Sequence, residues 1–274
     1  MKISTIIQLL GFRGRPKRYP YKVIEYDLGG AGVVKYPQWK HPGESTKVMS
    51  AELVDAYREY IQEGAFCIDI GAHCGDTTLP MAVAAGLSGC VLALEPNPFV
   101  YPVLEKTARA NSHACNIKTM MAAAGRTEGF MEFEYSDSGF CNGGRHENIS
   151  LLKHGHAYKQ TVFVVNLEHE LRSDYSALLP RLRFVKTDAE GYDLSVLQSL
   201  HQILREYRPV VKSEVYKKTS QHYRNEMLSF FDGMDYTVWK IRMEPLERGD
   251  LLRRETLGSG THYDILALPN EMLR

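Results

Sequence analysis

The stretch FVKTDAEGYDLSVL, residues 184–197, passes from an apolar run to a helical pattern through three charges and a glycine. Phe184 and Val185 read as the end of a buried strand. Lys186, Asp188 and Glu190 follow at alternate positions, then Gly191, and apolar residues resume at Leu194 and Leu197. In a sheet of parallel strands, ligands sit in the crevice beyond the carboxyl ends of the strands. Charges at such a lip face a cleft, and a glycine there permits the sharp turn into the next helix.

On both sides of this junction, short apolar runs alternate with helical ones. Strands are expected at 66–70, 91–94, 117–122, 182–186 and 210–215, and helices at 76–85, 99–110, 194–207 and 224–231. The helix at 194–207 carries Leu194, Leu197, Leu200, Ile203, Leu204 and Tyr207 on one stripe. Strands at 236–241 and 263–268 close the pattern, and strands at 130–135 and 161–165 fall in an irregular middle. Such alternation predicts an α/β fold built on a doubly wound, mostly parallel sheet. Residues 1–50 lack it and read as an N-terminal cap or substrate-side layer, with strands at 22–28 and 33–36 about a Gly29-Gly30 turn. The main domain is expected at 51–274, its first helix capped by Ser50.

The 274 residues carry 33 Lys+Arg and 33 Asp+Glu, a net charge of +0. A neutral chain does not steer polyanions, so nucleic acid is not a favoured partner. The five cysteines, Cys67, Cys74, Cys90, Cys115 and Cys141, are odd in number and show no CxxC spacing. They fit reduced thiols and a cytoplasmic location. The apolar stretch at 4–12 is too short to span a bilayer, so no membrane span is expected. With the basic cluster at 13–18 behind it, it reads as an amphipathic surface or docking segment rather than a signal peptide.

A second loop, DIGAHCGD at 69–76, ends the first strand of the alternation. Gly71 and Gly75 let the backbone turn and approach a ligand, so a side chain there would take the ligand's space. Asp76 reads as the cap of the following helix. The spacing is G-x-x-x-G with Asp69 ahead of it, not the G-x-G-x-x-G of dinucleotide sites. An acid at Asp69 repels phosphate; it organises the loop or meets a cationic amino group. The next strand ends at Leu94 and is followed by Glu95, where an acid accepts hydrogen bonds from ribose hydroxyls. Together the loops point to a nucleoside without phosphate, S-adenosyl-L-methionine.

Three pieces, CIDIGAHCGDTTL, VLALEPNPFVYPVLEKTARAN and FVKTDAEGYDLSVLQSL, make the chain resemble the FkbM family of S-adenosylmethionine-dependent methyltransferases over about residues 50–268. The K-x-D-x-E-G element is the most distinctive. The resemblance implies a class I methyltransferase (Rossmann-like) sheet, mostly parallel with an antiparallel closing strand. It also implies O-methylation of a small-molecule acceptor, a hydroxyl on a sugar or natural product. Cofactor contacts are then expected at Asp69, Gly71, Ala72, His73, Gly75, Asp76, Glu95, Asn97, Ala123 and Asp188. His73 and Cys74 stand where the family usually has asparagine and an aliphatic residue, and Asp193 replaces a glutamate.

Methyl transfer needs the acceptor oxygen in line with the donor carbon and relieved of its proton. Asp188 or Glu190 takes that proton as general base, with Glu214, at the lip of the adjacent strand, the third candidate catalytic acid. Alternatively the three acids hold a divalent metal that acidifies the hydroxyl. The metal is not favoured, because Lys186 already brings positive charge to the lip. His146, His222 and His262 are the reserve bases, Tyr192 and Tyr216 a wall for a sugar ring, and Trp39 and Trp239 packing residues. The missing G-x-G-x-x-G argues against a nucleotide-dependent oxidoreductase, and the missing N/D-P-P-Y/F against an amino-methylating nucleic-acid methyltransferase. A fold kept only as a binding partner would bind cofactor without turnover; the intact acids and glycines argue against it.

Overall fold

The computed structural model describes residues 16–135, 143–144, 158–243, 246–257 and 261–273. In chain order the strands are β1 (Tyr21–Asp27), β2 (Val33–Trp39), β3 (Phe66–Ile70), β4 (Cys90–Leu94), β5 (Ile117–Met120), β6 (Ala123–Gly125) and β7 (Gly129–Tyr135). They continue with β8 (Gly143–Gly144), β9 (Tyr158–Asn166), β10 (Leu182–Thr187), β11 (Val210–Val215), β12 (Tyr236–Met243), β13 (Glu247–Leu251) and β14 (Tyr263–Pro269). The helices are α1 (Ala51–Arg58), α2 (Thr78–Ala85), α3 (Tyr101–Ala110), α4 (Leu167–Ser173), α5 (Asp193–Ser199), α6 (His201–Tyr207) and α7 (Gln221–Asp232).

Strands buried on both faces read as unbroken apolar runs. Every residue of β3, β4 and β11 is buried, and all of β10 but Arg183, with the polar residues Asp69, Lys186, Thr187, Lys212, Ser213 and Glu214 toward the carboxyl ends. The main sheet has the order β13-β12-β14-β11-β10-β3-β4-β5. Its core from β5 to β11 pairs in parallel. β14 enters antiparallel between β11 and β12, the expected closing strand, and β13 returns as a hairpin on β12. From β3 the chain builds first toward β5 and later, through β10, the other way, so the strand order reverses between β3 and β10. Ligand crevices form at such a switch point. A smaller sheet, β6-β9-β7-β8, follows β5.

The β1–β2 hairpin is a separate two-stranded sheet that shares a core with the main one. Tyr36 and Trp39 are buried in the same apolar cluster as Tyr57, Cys67, Leu79 and Phe184. Asn111, at the end of α3, pins the hairpin by accepting from the Lys35 N–H and donating to the Lys35 carbonyl, each at 2.8 Å. Ser50 caps α1 as expected, accepting from the Leu53 N–H.

Some local expectations differ. The helix anticipated at 194–207 divides at Leu200, yet both halves bury the same stripe, so the leucine spacing runs through the break. Helix α4, capped by Asn166, and the mostly exposed β13 were not anticipated; the first is short and the second has no apolar face to read. Cys67, Cys74, Cys90 and Cys115 are buried free thiols. Cys141, His146 and the stretch at 4–12 lie outside the described residues. No helix among the described residues is long and apolar enough to cross a membrane.

Candidate active site

A cavity of about 250 Å³ opens at the carboxyl ends of β3, β4 and β10. Its floor is the loop after β3. Gly71 (φ +75°) and Gly75 (φ +89°) lie in the left-handed region, and His73 joins them at φ +49°. Asparagine, usual at this last position in the family the chain resembles, adopts that region readily. The end of β4 holds the loop. The N–H groups of Gly71 and Ala72 both reach the Leu94 carbonyl, and His73 N–H donates to Glu95 Oε2 at 2.9 Å.

Gly71 is required for a reason the sequence reading did not contain. A Cβ on it would stand 2.0 Å from the carbonyl oxygen of Asp188, so its freedom serves the close approach of two strand ends, not only a ligand. Gly71→Ala is therefore expected to destabilise the fold by about 3 kcal/mol, combining positive-φ strain with a backbone clash. Urea denaturation measures it, and a loss below about 1 kcal/mol would show that the two loops separate easily.

Asp69 does not reach the cavity. It is wholly buried, and its Oδ2 accepts from the hydroxyls of Thr77 (2.8 Å) and Thr78 (2.6 Å). Of the two roles anticipated for it, the geometry leaves the organisation of the loop. Asp76 does not cap α2, which starts at Thr78. It turns instead to Lys47, at 2.9 Å. Burial works against its charge, but Lys47, His73 and Lys186 hold its carboxyl below the usual range.

Lys186 is the electrostatic centre. Its Nζ donates to the Gly71 carbonyl at 2.8 Å and lies 3.2 Å from Asp69 Oδ1 and 3.6 Å from Asp188 Oδ2. Burial opposes its charge, but the carboxylates of Asp69, Asp188 and Asp76 outweigh it and raise its pKa. Beyond it the junction between β10 and α5 is a tight turn. Asp193 ties it: its carboxylate accepts from the Thr187 hydroxyl and from the N–H groups of Ala189 and Gly191. Tyr192, not Asp193, is the residue before α5. The turn sets Asp188, with 48% of its side chain exposed, and Glu190 on the cavity wall. Burial, then the charges of Asp188 and Asp193, push the Glu190 carboxyl up to about 7.

Glu95 lines the facing wall. Its Oε1 accepts from Asn97 N–H at 2.8 Å and its Oε2 from His73 N–H, two of the four or so acceptor positions of a carboxylate. Burial raises it to about 7 against those two hydrogen bonds. Asn97 and Ala123 complete this end, with Phe133 and Tyr135 of β7 above.

Of the residues singled out in the sequence, Gly71, His73, Asp76, Glu95, Asn97, Ala123, Asp188, Glu190 and Tyr192 line the cavity, whereas Asp69, Ala72, Gly75 and Glu214 do not. Ala72 is buried against Ala93 and Leu104, and a Cβ on Gly75 would press on Leu104 and Thr107 at 3.1 Å, so both act on packing. Glu214 is buried one strand away and paired with His262 Nδ1 at 3.2 Å. Burial and the charges of Asp188, Asp193, Glu190 and Asp264 push it up to about 10. Among the described residues no group of three or more His, Cys, Asp or Glu side chains is arranged to hold a metal ion. His222 is exposed and pairs with Glu226. Glu44 and Lys47, from the segment after β2, line the cavity and were missed, because no spacing or motif marks them.

The methyltransferase FkbM domain matches residues 69–239. The chain belongs to the FkbM methyltransferase family. The fold is accordingly the class I methyltransferase sheet, whose switch-point crevice is the cavity described above. Among solved structures, the chain is similar to the methyltransferase FkbM from Methylobacillus flagellatus, with 14% identity and a TM-score of 0.46. That match covers 78% of this chain and 50% of the other, so the chain spans half the length of that protein. It is similar to a SAM-dependent O-methyltransferase from Thermotoga maritima, at 14% identity, TM-score 0.43, covering 91% and 78% of the two chains. It is also similar to fibrillarin from Aeropyrum pernix with natively bound S-adenosyl-L-methionine, at 12% identity, TM-score 0.44, covering 93% and 97%. No curated protein matches the chain.

Proposed function

We propose that this FkbM methyltransferase uses S-adenosyl-L-methionine to methylate a hydroxyl of a sugar or natural product. The observation that carries the reading is the pairing of Glu95 on one wall of the cavity with Asp188 and Glu190 on another. When bound, S-adenosyl-L-methionine supplies an electrophilic methyl group. Glu95 retains acceptor positions for the two ribose hydroxyls, and the Gly71–Gly75 loop brings backbone within reach of the nucleoside. Asp188, kept beside Lys186, orients the acceptor hydroxyl. Glu190, near neutrality, takes its proton, the range in which a base is both unprotonated and strong enough. A neutral chain and a cavity of this size suit a small acceptor rather than a nucleic acid. Four buried free thiols support a reducing compartment such as the cytoplasm.

Glu95→Ala is expected to weaken S-adenosylhomocysteine binding by about 2 kcal/mol, the loss of charge-assisted hydrogen bonds. Calorimetry showing wild-type affinity in this variant would refute the ribose assignment. Acceptor chemistry is read separately, by mass spectrometry and NMR of the product from a panel of hydroxylated sugars. A methyl carried on nitrogen would sink the O-methylation reading.

A further inference from the structure

The segment after β2 brings two opposite charges into the cavity that none of the roles above uses. Glu44 presents a side chain only 8% exposed. Its Oε1 is buried without a hydrogen-bond donor among the described residues. Lys47 Nζ lies 3.8 Å from that oxygen, beyond hydrogen-bond reach, and spends its short contact of 2.9 Å on Asp76. Glu44 Oε2 lies 3.9 Å from His73 Nε2, which is itself buried and without a hydrogen-bond partner among the described residues. Burial holds His73 below its usual pKa.

A buried carboxylate without donors is costly unless a cation completes it. Burial raises the Glu44 carboxyl above its usual range against the nearby charge of Lys47. The segment is also rigidly placed. Gly43 N–H donates to His41 Nδ1 at 2.9 Å, and His41 stacks on Trp39 with ring centroids 4.9 Å apart. Gln38 holds the next turn, accepting from Lys47 N–H at 2.7 Å and donating to the Ser45 carbonyl at 3.1 Å. Such fixed placement belongs to a group awaiting a ligand rather than to a solvated loop acid.

We propose that Glu44 and Lys47 form a clamp for the zwitterionic amino-acid end of the cofactor, Glu44 accepting from the α-ammonium and Lys47 pairing with the α-carboxylate. The proposal rests on the reading of the cavity as an S-adenosylmethionine site and adds the part of it contributed by the N-terminal layer. The ligand's charges match the two side chains in sign. One ammonium donor of Lys47 is taken by Asp76, and an ammonium carries three. The ribose end is taken by Glu95 and Asn97, which leaves the amino-acid end to Glu44 and Lys47, the lining charges of the segment after β2.

The test compares two nucleosides by calorimetry on the full chain: S-adenosylhomocysteine, which carries the amino-acid end, and 5′-methylthioadenosine, which lacks it. Glu44→Gln is expected to weaken S-adenosylhomocysteine about tenfold or more, the scale of one hydrogen bond between charged groups. It should leave 5′-methylthioadenosine unchanged. Lys47→Met should follow the same pattern, and thermal unfolding checks that both variants are folded. Equal loss for the two nucleosides, or no loss for S-adenosylhomocysteine, would overturn the clamp while leaving the cofactor reading standing. Wild-type protein that binds neither nucleoside would overturn both.

Discussion

Asp188→Asn is expected to lower turnover about a hundredfold, the scale of losing the group that holds the acceptor hydroxyl in line for methyl transfer and for its base. Binding of S-adenosylhomocysteine should change far less, because Lys186 keeps its buried partner Asp69 and its bond to the Gly71 carbonyl. The pH profile carries a second signature. Glu190 must be unprotonated to act, so turnover should rise with pH through about 7, where burial and the charges of Asp188 and Asp193 have moved it. Removing the charge of Asp188 relieves part of that effect, so the rising limb of the residual activity should move to lower pH. Glu190→Gln should abolish the limb. Normal turnover in Asp188→Asn would dismiss the pair of acids and return attention to His262. An unshifted limb would leave Asp188 a positioning role without electrical contact to the base.

Lys186→Met is expected to cost about 3–5 kcal/mol of stability, the range for removing one partner of a buried ion pair. Asp69 is wholly buried, and the two threonine hydroxyls alone then face its charge. The loop after β3 would also lose the bond from Lys186 Nζ to Gly71, which ties it to β10. The check is a double-variant cycle in urea. Asp69→Asn should recover much of the loss in the Lys186→Met background, since the orphaned charge is gone. Simple additivity of the two losses would mean that Lys186 and Asp69 are not coupled.

Much of this molecule was legible before any coordinates. The strands β3, β10 and β11 are short and start in apolar residues, and both ends of β3 and β11 fall where the pattern places them. Each such strand is buried on both faces by helices, so local composition and tertiary environment ask for the same residues. The lip residues were legible for a related reason. A charge immediately after a buried strand has no place in the core, so Glu95, Asp188 and Glu190 announced the crevice they line.

Other features depend on distances between segments far apart in sequence. Nothing near Gly71 says that the carbonyl of Asp188 comes against it, and nothing near Asp69 says that Thr77, Thr78 and Lys186 consume its carboxylate. Asp76 sits where a cap is usual, yet Lys47, supplied by the hairpin layer, draws it away. Glu214 carries the same local signature as Asp188, a charge at a strand's carboxyl lip. Its neighbours differ: His262 from the loop before β14 pairs with it, and burial with the charges of Asp188, Asp193, Glu190 and Asp264 raises its pKa, while Asp188 stays half exposed beside a lysine. By itself the sequence determined the alternating sheet and the crevice, because those follow from periodicity and from charges that cannot be buried alone, and it carried the family in three motif stretches. Which of these acids face the cavity was decided only by the packing of β14 and the N-terminal layer. Burial and charge pairing act through space and leave no spacing in the chain.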